Sequence, residues 1–248
     1  MRIITWNIFN KNEKIKSSLN FIFKYNPDIV CLQEFPEESL DLLNQKEYHF
    51  VNAKDCTTIT LNKKNQTNSL LIIGIKRKIK HSTEIFSLKM PANNIIKKIT
   101  NLKESLEGLK ITFTYKNNKI SLFNCHLSFA ARPFIRRKEL RKILKNGNGR
   151  RIICGDFNDF GNPFLNLFLG PFLNYRLKDY KINEIKYFER IFKKYKFNNW
   201  FFGEITHPIS RQQLDYLLLS KELKIKNKEV LSEGSKFSDH LPLLVDLK

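Results

Sequence analysis

Residues 151–158, Arg151-Ile152-Ile153-Cys154-Gly155-Asp156-Phe157-Asn158, decide the fold. The run from Ile152 to Cys154 is rich in β-branched residues and bounded by turn residues, which predicts a short buried strand. Asp156 and Asn158 follow it with one residue between them, and side chains two apart in an extended chain lie on the same face. The pattern therefore predicts a carboxylate and an amide that project together from a strand end. Taken alone, the pair is more simply explained by an Asx turn that ends the strand.

Length and composition indicate one folded domain. The chain has 248 residues, of which 42% are hydrophobic, enough for one large α/β domain or two small ones. No linker rich in Gly, Ser or Pro and no repeat divides it, so we expect a single domain over residues 1–248. The four cysteines lack metal-ligand spacing, and three lie in apolar runs, which is typical of reduced, buried thiols in a reducing compartment.

The sequence also predicts a cytoplasmic protein. No run approaches the roughly 20 apolar residues that a membrane-spanning helix needs. The amino-terminal residues 1–6 are too short and too polar for a secretory signal.

The chain is strongly basic, with 44 Lys and Arg against 24 Asp and Glu and a net charge of +20. Such an excess favours a polyanionic partner: nucleic acid, a phosphorylated substrate or an anionic membrane surface. Compositional bias is an equal explanation, because Lys, Asn, Ile and Phe are abundant throughout the chain. The charge therefore supports a polyanionic partner without identifying it.

The pattern of apolar residues opens with a β-α-β unit. Arg2 to Trp6 predicts a strand, Lys14 to Tyr25 has the helical spacing of an amphipathic helix, and Ile29 to Leu32 predicts a second strand. The residues around Asn117-Asn118 predict the turn of a β-hairpin. Further strands are predicted at 57–61, 70–75, 85–88, 110–115, 119–127, 214–219 and 243–247, further helices at 37–43, 135–144 and 184–194, and either helix or loop at 89–109.

Polar side chains recur at the ends of these predicted strands. Each has an ordinary structural explanation when taken alone; His126, for example, is more often a hydrogen-bonded sheet histidine than a catalytic one. Their order along the chain is more informative than any single member. The set consists of Asn7, Glu34, His126, Asp156, Asn158, Asp215, Asp239 and His240.

The segments that contain these residues occur in an order that resembles the endonuclease/exonuclease/phosphatase superfamily, the group with a deoxyribonuclease-I-like fold. They are Thr5-Trp6-Asn7, Leu32-Gln33-Glu34, Asn124-Cys125-His126-Leu127, Gly155-Asp156-Phe157-Asn158, Leu214-Asp215-Tyr216 and Ser238-Asp239-His240. The resemblance implies an α/β fold, a four-layer α/β sandwich in which two mixed β-sheets pack face to face with helices outside. It also implies an active site at one end of the sheets.

The resemblance implies a divalent metal site at Asn7, Glu34 and Asp239. Mg²⁺ prefers hard oxygen ligands, commonly one or two carboxylates completed by substrate phosphate and water. Mg²⁺ is therefore the expected cofactor, with Mn²⁺ as an alternative.

The resemblance assigns five further residues to catalysis. His240 is the expected acid–base residue, and Asp215 is expected to hold its ring by accepting a proton from one nitrogen. Asp156 would orient or deprotonate the attacking water, and Asn158 would bind a phosphate oxygen. His126 would donate to the phosphate or protonate the leaving oxygen.

Departures from the family pattern reduce the number of branches of the superfamily that the chain resembles. The sequence Trp6-Asn7-Ile8-Phe9-Asn10, together with His126 where abasic-site endonucleases carry Tyr, argues against that branch. Many relatives with the His version also carry an Arg followed three residues later by Gln. Here Arg136 is present and Glu139 replaces the Gln, so we expect Arg136 to be structural or solvated.

Three functions remain open from the sequence. The first is a Mg²⁺-dependent nuclease on DNA or RNA, with the basic helix at 135–144 along the phosphate backbone. The second keeps the chemistry but changes the substrate to an anionic lipid, a phosphoinositide or a sugar phosphate. The third is a binding module without catalysis, which would bind nucleic acid without regard to Mg²⁺.

Overall fold

The fold is seen in a computed structural model that describes residues 1–59, 66–88, 95–100, 103–105, 107–129, 131–159, 167–168 and 170–248. The strands are β1 (Arg2–Asn7), β2 (Ile29–Pro36), β3 (Tyr48–Ile59), β4 (Gln66–Lys76), β5 (His81–Ser87), β6 (Lys103–Glu104), β7 (Glu107–Tyr115), β8 (Asn118–His126), β9 (Arg150–Asp156), β10 (Phe197–Asn199), β11 (Asp215–Ser220), β12 (Ile225–Val230) and β13 (Leu243–Leu247). The helices are α1 (Ile15–Phe23), α2 (Ile95–Thr100), α3 (Pro133–Lys145) and α4 (Glu184–Lys194), with 3₁₀ turns at Glu37–Leu42 and Ser232–Lys236.

Over the described residues, these strands form two mixed sheets. Sheet A has the order β12-β13-β1-β2-β4-β3-β6, and sheet B has the order β10-β11-β9-β8-β7-β5. β1 pairs parallel with β2, and β8 pairs parallel with β9. A helix joins the members of each parallel pair, as a parallel crossover requires, and the other pairings are antiparallel.

Three apolar clusters define the layers. The first lies between the sheets and includes Ile73 of sheet A and Leu122 of sheet B. The second packs α3 and α4 on the outer face of sheet B, and the third packs α1 on the outer face of sheet A. Because alternate strand residues point to opposite faces, both sheets bury both faces. The structure is thus the four-layer α/β sandwich with two mixed sheets that the sequence predicts.

Gly155 allows β8 and β9 to lie side by side next to the site. Its φ of +130° is a conformation that side chains rarely adopt, and a Cβ built there would lie 1.8 Å from the carbonyl oxygen of Cys125. Only glycine tolerates both the backbone conformation and this approach. The residue that ends the apolar run in the sequence is therefore required by packing.

The hairpin between β7 and β8 turns one residue earlier than predicted. Tyr115 pairs with Asn118, and the two residues between them, Lys116 and Asn117, have φ values of 47° and 62°. Positive φ at both central positions is the signature of a type I′ turn, whose twist matches the flanking strands. The prediction placed the turn around Asn117-Asn118 because Asn adopts this conformation more readily than Lys.

Several strands differ in extent from the prediction. β3 begins at Tyr48 rather than Thr57, while positions 60 and 61 of that prediction lie outside the described residues. β10 and β12 were not predicted, because the first has three residues and the second is a charged, mostly exposed edge strand. The 89–109 stretch contains α2, β6 and the start of β7, and its positions 89–94, 101–102 and 106 lie outside the described residues. Among the residues with described positions, no helix is long and apolar enough to cross a membrane.

Candidate active site

The predicted site residues meet at one end of the sandwich because three neighbouring strands of sheet B reach it together. His126 ends β8, Asp156 ends β9 and Asp215 begins β11. In the ladder, Asp156 is the Cα partner of both His126 and Asp215. Asn7 ends β1 in the facing sheet, and its side-chain amide donates to Asp156 Oδ2 over 2.9 Å. The two sheets therefore share this pocket.

Asn7 joins two carboxylates. Its Nδ2 lies 2.9 Å from Asp156 Oδ2 and 3.1 Å from Glu34 Oε1, while its Oδ1 accepts from the backbone N–H of Phe9. Glu34 Oε2 accepts in addition from the backbone N–H of Asn10 over 3.2 Å. Both carboxylates thus converge on one buried amide.

Two β-bulges aim acidic side chains at the pocket. The pairing of β2 with β4 shifts register between Leu32 and Phe35, and Glu34 in this bulge has a φ of 54°. The pairing of β3 with β4 shifts between Lys54 and Thr57, where Asp55 lies. Bulges redirect side chains at functional sites, and a non-glycine residue at positive φ is held there by its surroundings. Here the backbone N–H of Glu34 donates to Asp55 Oδ2 over 2.9 Å.

His126 is held by a carboxylate that the sequence did not reveal. Its Nδ1 lies 2.9 Å from Asp55 Oδ1, and its Nε2 lies 2.9 Å from Asn158 Nδ2. The same Asn158 amide nitrogen donates to the carbonyl oxygen of Leu127 over 2.9 Å. Because that nitrogen is a donor, Nε2 accepts in the neutral ring, and the proton of this form lies on Nδ1 toward Asp55.

His240 has a matching arrangement on the other side of Asp156. Its Nδ1 lies 2.8 Å from Asp215 Oδ2, and its Nε2 lies 3.7 Å from Asp156 Oδ2. The backbone of this turn is anchored to β1, since Trp6 Nε1 donates to the His240 carbonyl oxygen and Ser238 Oγ donates to the Asn7 carbonyl oxygen. The last motif is thereby bound to the first.

Asp239 faces a different neighbour from the other two predicted metal ligands. Its Oδ2 lies 3.8 Å from Nε2 of His207, a residue that the sequence did not indicate. The rings of His207 and His240 are in edge contact, with centroids 4.7 Å apart. In the described part of the chain, three groups have side-chain donor atoms all within 4.8 Å of one another: Glu34, His126 and Asp156; Asp156, Asp215 and His240; and His207, Asp239 and His240.

The carboxylates and histidines of the pocket alter one another's protonation. Burial raises the pKa of Glu34, the nearby Asp55 raises it further, and His126 opposes the shift. Burial alone would lower the pKa of His240, but Asp215 and Asp156 outweigh it and raise the value to about 10. Burial likewise opposes a charged His126, and the surrounding carboxylates, led by Asp55, raise its pKa well above the ordinary value.

The donor set fits a hard divalent cation. Two carboxylates, Glu34 and Asp156, converge on the Asn7 amide, and burial, with a smaller contribution from Asp55, raises the pKa of Glu34. Carboxylate oxygens are the ligands that Mg²⁺ and Mn²⁺ prefer, and a bound cation would favour the ionised form of the buried Glu34.

Arg136 has a structural role. The sequence left a structural or a solvated Arg136 open, and the structure shows the first. Its side chain is fully buried and paired with Glu184, which is also fully buried. It donates to backbone carbonyl oxygens of the segment that follows His126, at Ser128, Phe129 and Ala131. Glu139, where relatives carry Gln, accepts from the backbone N–H of Ser128. This buried network fixes the loop beside His126.

The model of the Endonuclease/Exonuclease/phosphatase family matches residues 4–240, which covers all six motifs. The chain belongs to this family. Members of the Endonuclease/Exonuclease/phosphatase family are phosphoric ester hydrolases. No curated protein sequence matches the chain.

Solved structures share the fold at low identity. The endonuclease/exonuclease/phosphatase from Beutenbergia cavernae is 16% identical with a TM-score of 0.71, covering 100% of this chain and 71% of its own. TDP2 from D. rerio, complexed with a single-strand DNA product, is 16% identical with a TM-score of 0.63, covering 100% and 98%. ANGEL2, a 2′,3′-cyclic phosphatase, is 16% identical with a TM-score of 0.62, covering 98% and 93%.

Within the described ranges, Asp55 and His207 are pocket residues that the sequence did not indicate. Asp55 lies in a strand whose first nine residues were not predicted. The sequence pattern therefore did not place this acid on a strand near the site. His207 lies in the loop before β11, eight residues ahead of Asp215, with no motif around it. The only available signal was composition, because the chain has five histidines and two had already been assigned.

Proposed function

We propose that the chain is a divalent-metal-dependent phosphodiester hydrolase that acts on DNA or RNA. One observation carries the proposal: Asp156 Oδ2 lies 3.8 Å from His126 Nε2 and 3.7 Å from His240 Nε2. Each of these rings is held through its Nδ1 by a carboxylate of its own, Asp55 or Asp215. Two oriented imidazoles on either side of one carboxylate suit a reaction that moves protons at both ends of a phosphate ester.

The reaction is hydrolysis of one P–O bond. In the proposed arrangement Asp156 orients a water molecule, whose oxygen attacks phosphorus while its proton passes to the Asp156–His240 pair. Asp215 keeps the His240 ring in place during this transfer. The P–O bond to the leaving group breaks, and that oxygen receives a proton. The products are a phosphate monoester and an alcohol.

His126 is assigned to the leaving-group or phosphate side. Its Nε2 is occupied by the Asn158 amide. When that amide turns to a phosphate oxygen, Nε2 is released, and the raised pKa of the ring favours the protonated form that can donate. Acid–base groups of this kind typically contribute about 10²–10⁴-fold to the rate.

Asn7, Glu34 and Asp239 are the residues that would hold a divalent ion. When bound, Mg²⁺ or Mn²⁺ supplies Lewis-acid stabilisation of the charge on the phosphoryl oxygens. The convergence of Glu34 and Asp156 on Asn7 supports this assignment for Glu34. Asn7 meets these carboxylates through Nδ2, so its Oδ1, which accepts from the backbone N–H of Phe9, would bind an ion only after the side-chain amide turns. Asp239 is included in the proposed metal site because its donor atoms lie close to those of its neighbour His240.

Nucleic acid is the proposed substrate because both the net charge of the chain and the ligand of a protein with the same fold favour it. The net charge of +20 favours a long polyanion. A fold relative, TDP2 from D. rerio, was solved with a single-strand DNA product. ANGEL2, described as a 2′,3′-cyclic phosphatase, extends the candidates to a terminal cyclic phosphate of RNA.

A lipid phosphodiester is the second candidate, and one observation favours it. Large apolar side chains are exposed on loops that carry site residues, among them Phe129 (51%), Ile205 (46%) and Ile209 (79%). Phe129 follows the His126 strand, and the two isoleucines flank His207. Exposed apolar groups beside the site of a chain with a net charge of +20 suit the interface of an anionic bilayer.

A substrate panel tests the proposal. Single-stranded DNA, plasmid, RNA, an RNA with a 2′,3′-cyclic end and anionic phospholipid vesicles are incubated with Mg²⁺, Mn²⁺ or EDTA. We expect nucleic-acid hydrolysis that needs the metal ion, weakens steeply with salt and is nearly abolished in His240→Ala and Asp156→Ala, both still folded. His49→Ala is the matched control, since His49 lies near the start of β3, at the opposite end from Asp55.

Two outcomes would contradict it. Head-group release from vesicles with intact nucleic acid would replace the proposed substrate by the lipid candidate. Nucleic-acid binding that ignores Mg²⁺ and is unchanged in Glu34→Ala, with no product from any substrate, would identify a binding module instead.

A further inference from the structure

His207 borders the pocket although no motif includes it. Its ring is in edge contact with the ring of His240, with centroids 4.7 Å apart at an angle of 64°. Its Nε2 lies 3.8 Å from Asp239 Oδ2, and its side chain is 16% exposed. One histidine therefore touches the proposed acid–base residue and one of the proposed metal ligands.

The loop that carries His207 is hydrogen-bonded both to the start of β11 and to the turn that contains Asp239 and His240. The neighbouring Thr206 is fully buried, and its Oγ1 accepts from the backbone N–H groups of Leu214 and Asp215, each over 2.9 Å. The carbonyl oxygen of Thr206 accepts from the backbone N–H of Leu241 over 2.7 Å. His207 is thus held between the start of β11 and the turn of the last motif.

Ser210 determines which ring nitrogen of His207 carries the proton. The backbone N–H of Ser210 donates to Nδ1 over 3.1 Å, and Ser210 Oγ lies 2.8 Å from the same nitrogen. A backbone N–H can only donate, so Nδ1 acts as an acceptor. In the neutral ring the proton then lies on Nε2, the nitrogen that faces Asp239. This leaves Nε2 as an N–H donor and not as a metal ligand.

We propose that His207 is a positioning residue that orients Asp239 and His240 for metal binding and proton transfer. The distance of 3.8 Å exceeds that of a direct hydrogen bond, so the attraction between Nε2–H and the Asp239 carboxylate is one between a dipole and a charge. The same ring limits rotation of the His240 imidazole through their edge contact. Groups that orient metal ligands commonly contribute about 10–100-fold to metal affinity or activity.

The inference rests on the proposed function, because it takes Asp239 as a metal ligand. Two variants separate the parts of the His207 side chain. His207→Phe keeps a ring against His240 and removes the N–H, whereas His207→Gln keeps an N–H donor near the position of Nε2 and removes the ring. His49→Phe is the matched control at the other end of the sheets.

The first measurement is NMR of the metal-free protein with ¹⁵N-labelled histidine rings. We expect one ring whose neutral form carries its proton on Nε2 and whose signals disappear in His207→Phe and persist in His49→Phe. A His207 ring that carries its proton on Nδ1 would overturn the inference, because Nε2 would then have no proton to offer Asp239. This result does not depend on any activity.

The second measurement is Mg²⁺ affinity by isothermal titration calorimetry, beside thermal melting of every variant. We expect Mg²⁺ binding to weaken about tenfold in His207→Phe and to recover largely in His207→Gln, with His49→Phe like wild type. Wild-type affinity in a folded His207→Phe would overturn the inference. A wild-type chain that binds no Mg²⁺ would overturn the proposed function instead, and the ring tautomer would still show whether Nε2 donates toward Asp239.

Discussion

Asp55 Oδ1 lies 2.9 Å from Nδ1 of His126, although the two residues belong to different sheets. Asp55 also accepts the backbone N–H of Glu34 through its other oxygen. One buried carboxylate therefore orients a proposed catalytic ring and supports the bulge that aims a proposed metal ligand. This bond across the two sheets ties the geometry of the pocket to the packing of the sandwich.

We predict that Asp55→Asn strongly reduces turnover while the protein stays folded. Asn retains an oxygen that can accept from Glu34, but it lacks the charge that holds the proton on His126 Nδ1. We expect kcat to fall about 10²–10⁴-fold, measured on the best substrate of the panel. The exposed Asp41→Asn is the control, and a change of less than about twofold in Asp55→Asn would show that His126 needs no such partner.

We predict that Glu34→Gln weakens Mg²⁺ binding, and that acid does the same to the wild-type chain. Burial raises the pKa of Glu34, so a proton competes with the metal ion as the pH falls through that raised value. Calorimetry at pH 7.5 and at about pH 5 should show lower affinity in acid, with proton release on binding. The exposed Glu38→Gln should bind Mg²⁺ like wild type. Equal affinity in Glu34→Gln and wild type would remove Glu34 from the metal site.

We predict that the metal-free protein loses stability as the pH rises above neutral. The pKa of His240 is raised from the ordinary 6.5 to about 10 in the folded chain, so its contribution is fully present below pH 6.5 and is lost as the pH rises through about 10. One such group changes the free energy of unfolding by at most about 1.4 kcal/mol per pH unit. Urea unfolding in EDTA from pH 6 to 10 measures the slope. It should be shallower in His240→Gln, and an identical slope would contradict the assignment.

We predict that breaking the Arg136–Glu184 pair destabilises the fold. Both side chains are fully buried, so removal of either leaves the other as an uncompensated charge. Arg136→Met or Glu184→Gln should lower the free energy of unfolding by about 3–5 kcal/mol. Lys138→Met, on the exposed side of the same helix, is the control. In a double-mutant cycle, the second substitution should cost less than it does alone; full additivity would argue against a direct pair.

The architecture and eight of the pocket residues could be predicted from the amino-acid sequence alone. Periodic apolar residues report which face of a strand or helix is buried, and that is a local property of the chain. The β-α-β opening, α3, α4 and the buried β9 were therefore visible, and the order of six short motifs was sufficient to indicate the family and the residues from Asn7 to His240.

The side chains that hold those eight residues in place could be identified only from the folded chain. Asp55 meets His126 across 71 positions of sequence, and Arg136 meets Glu184 across 48. His207 meets Asp239 and His240 only because its loop is bonded to the turn that carries them. Periodicity shows that a residue is buried but not what lies opposite it, because the partner is set by strand register, bulges and the packing of one sheet on the other.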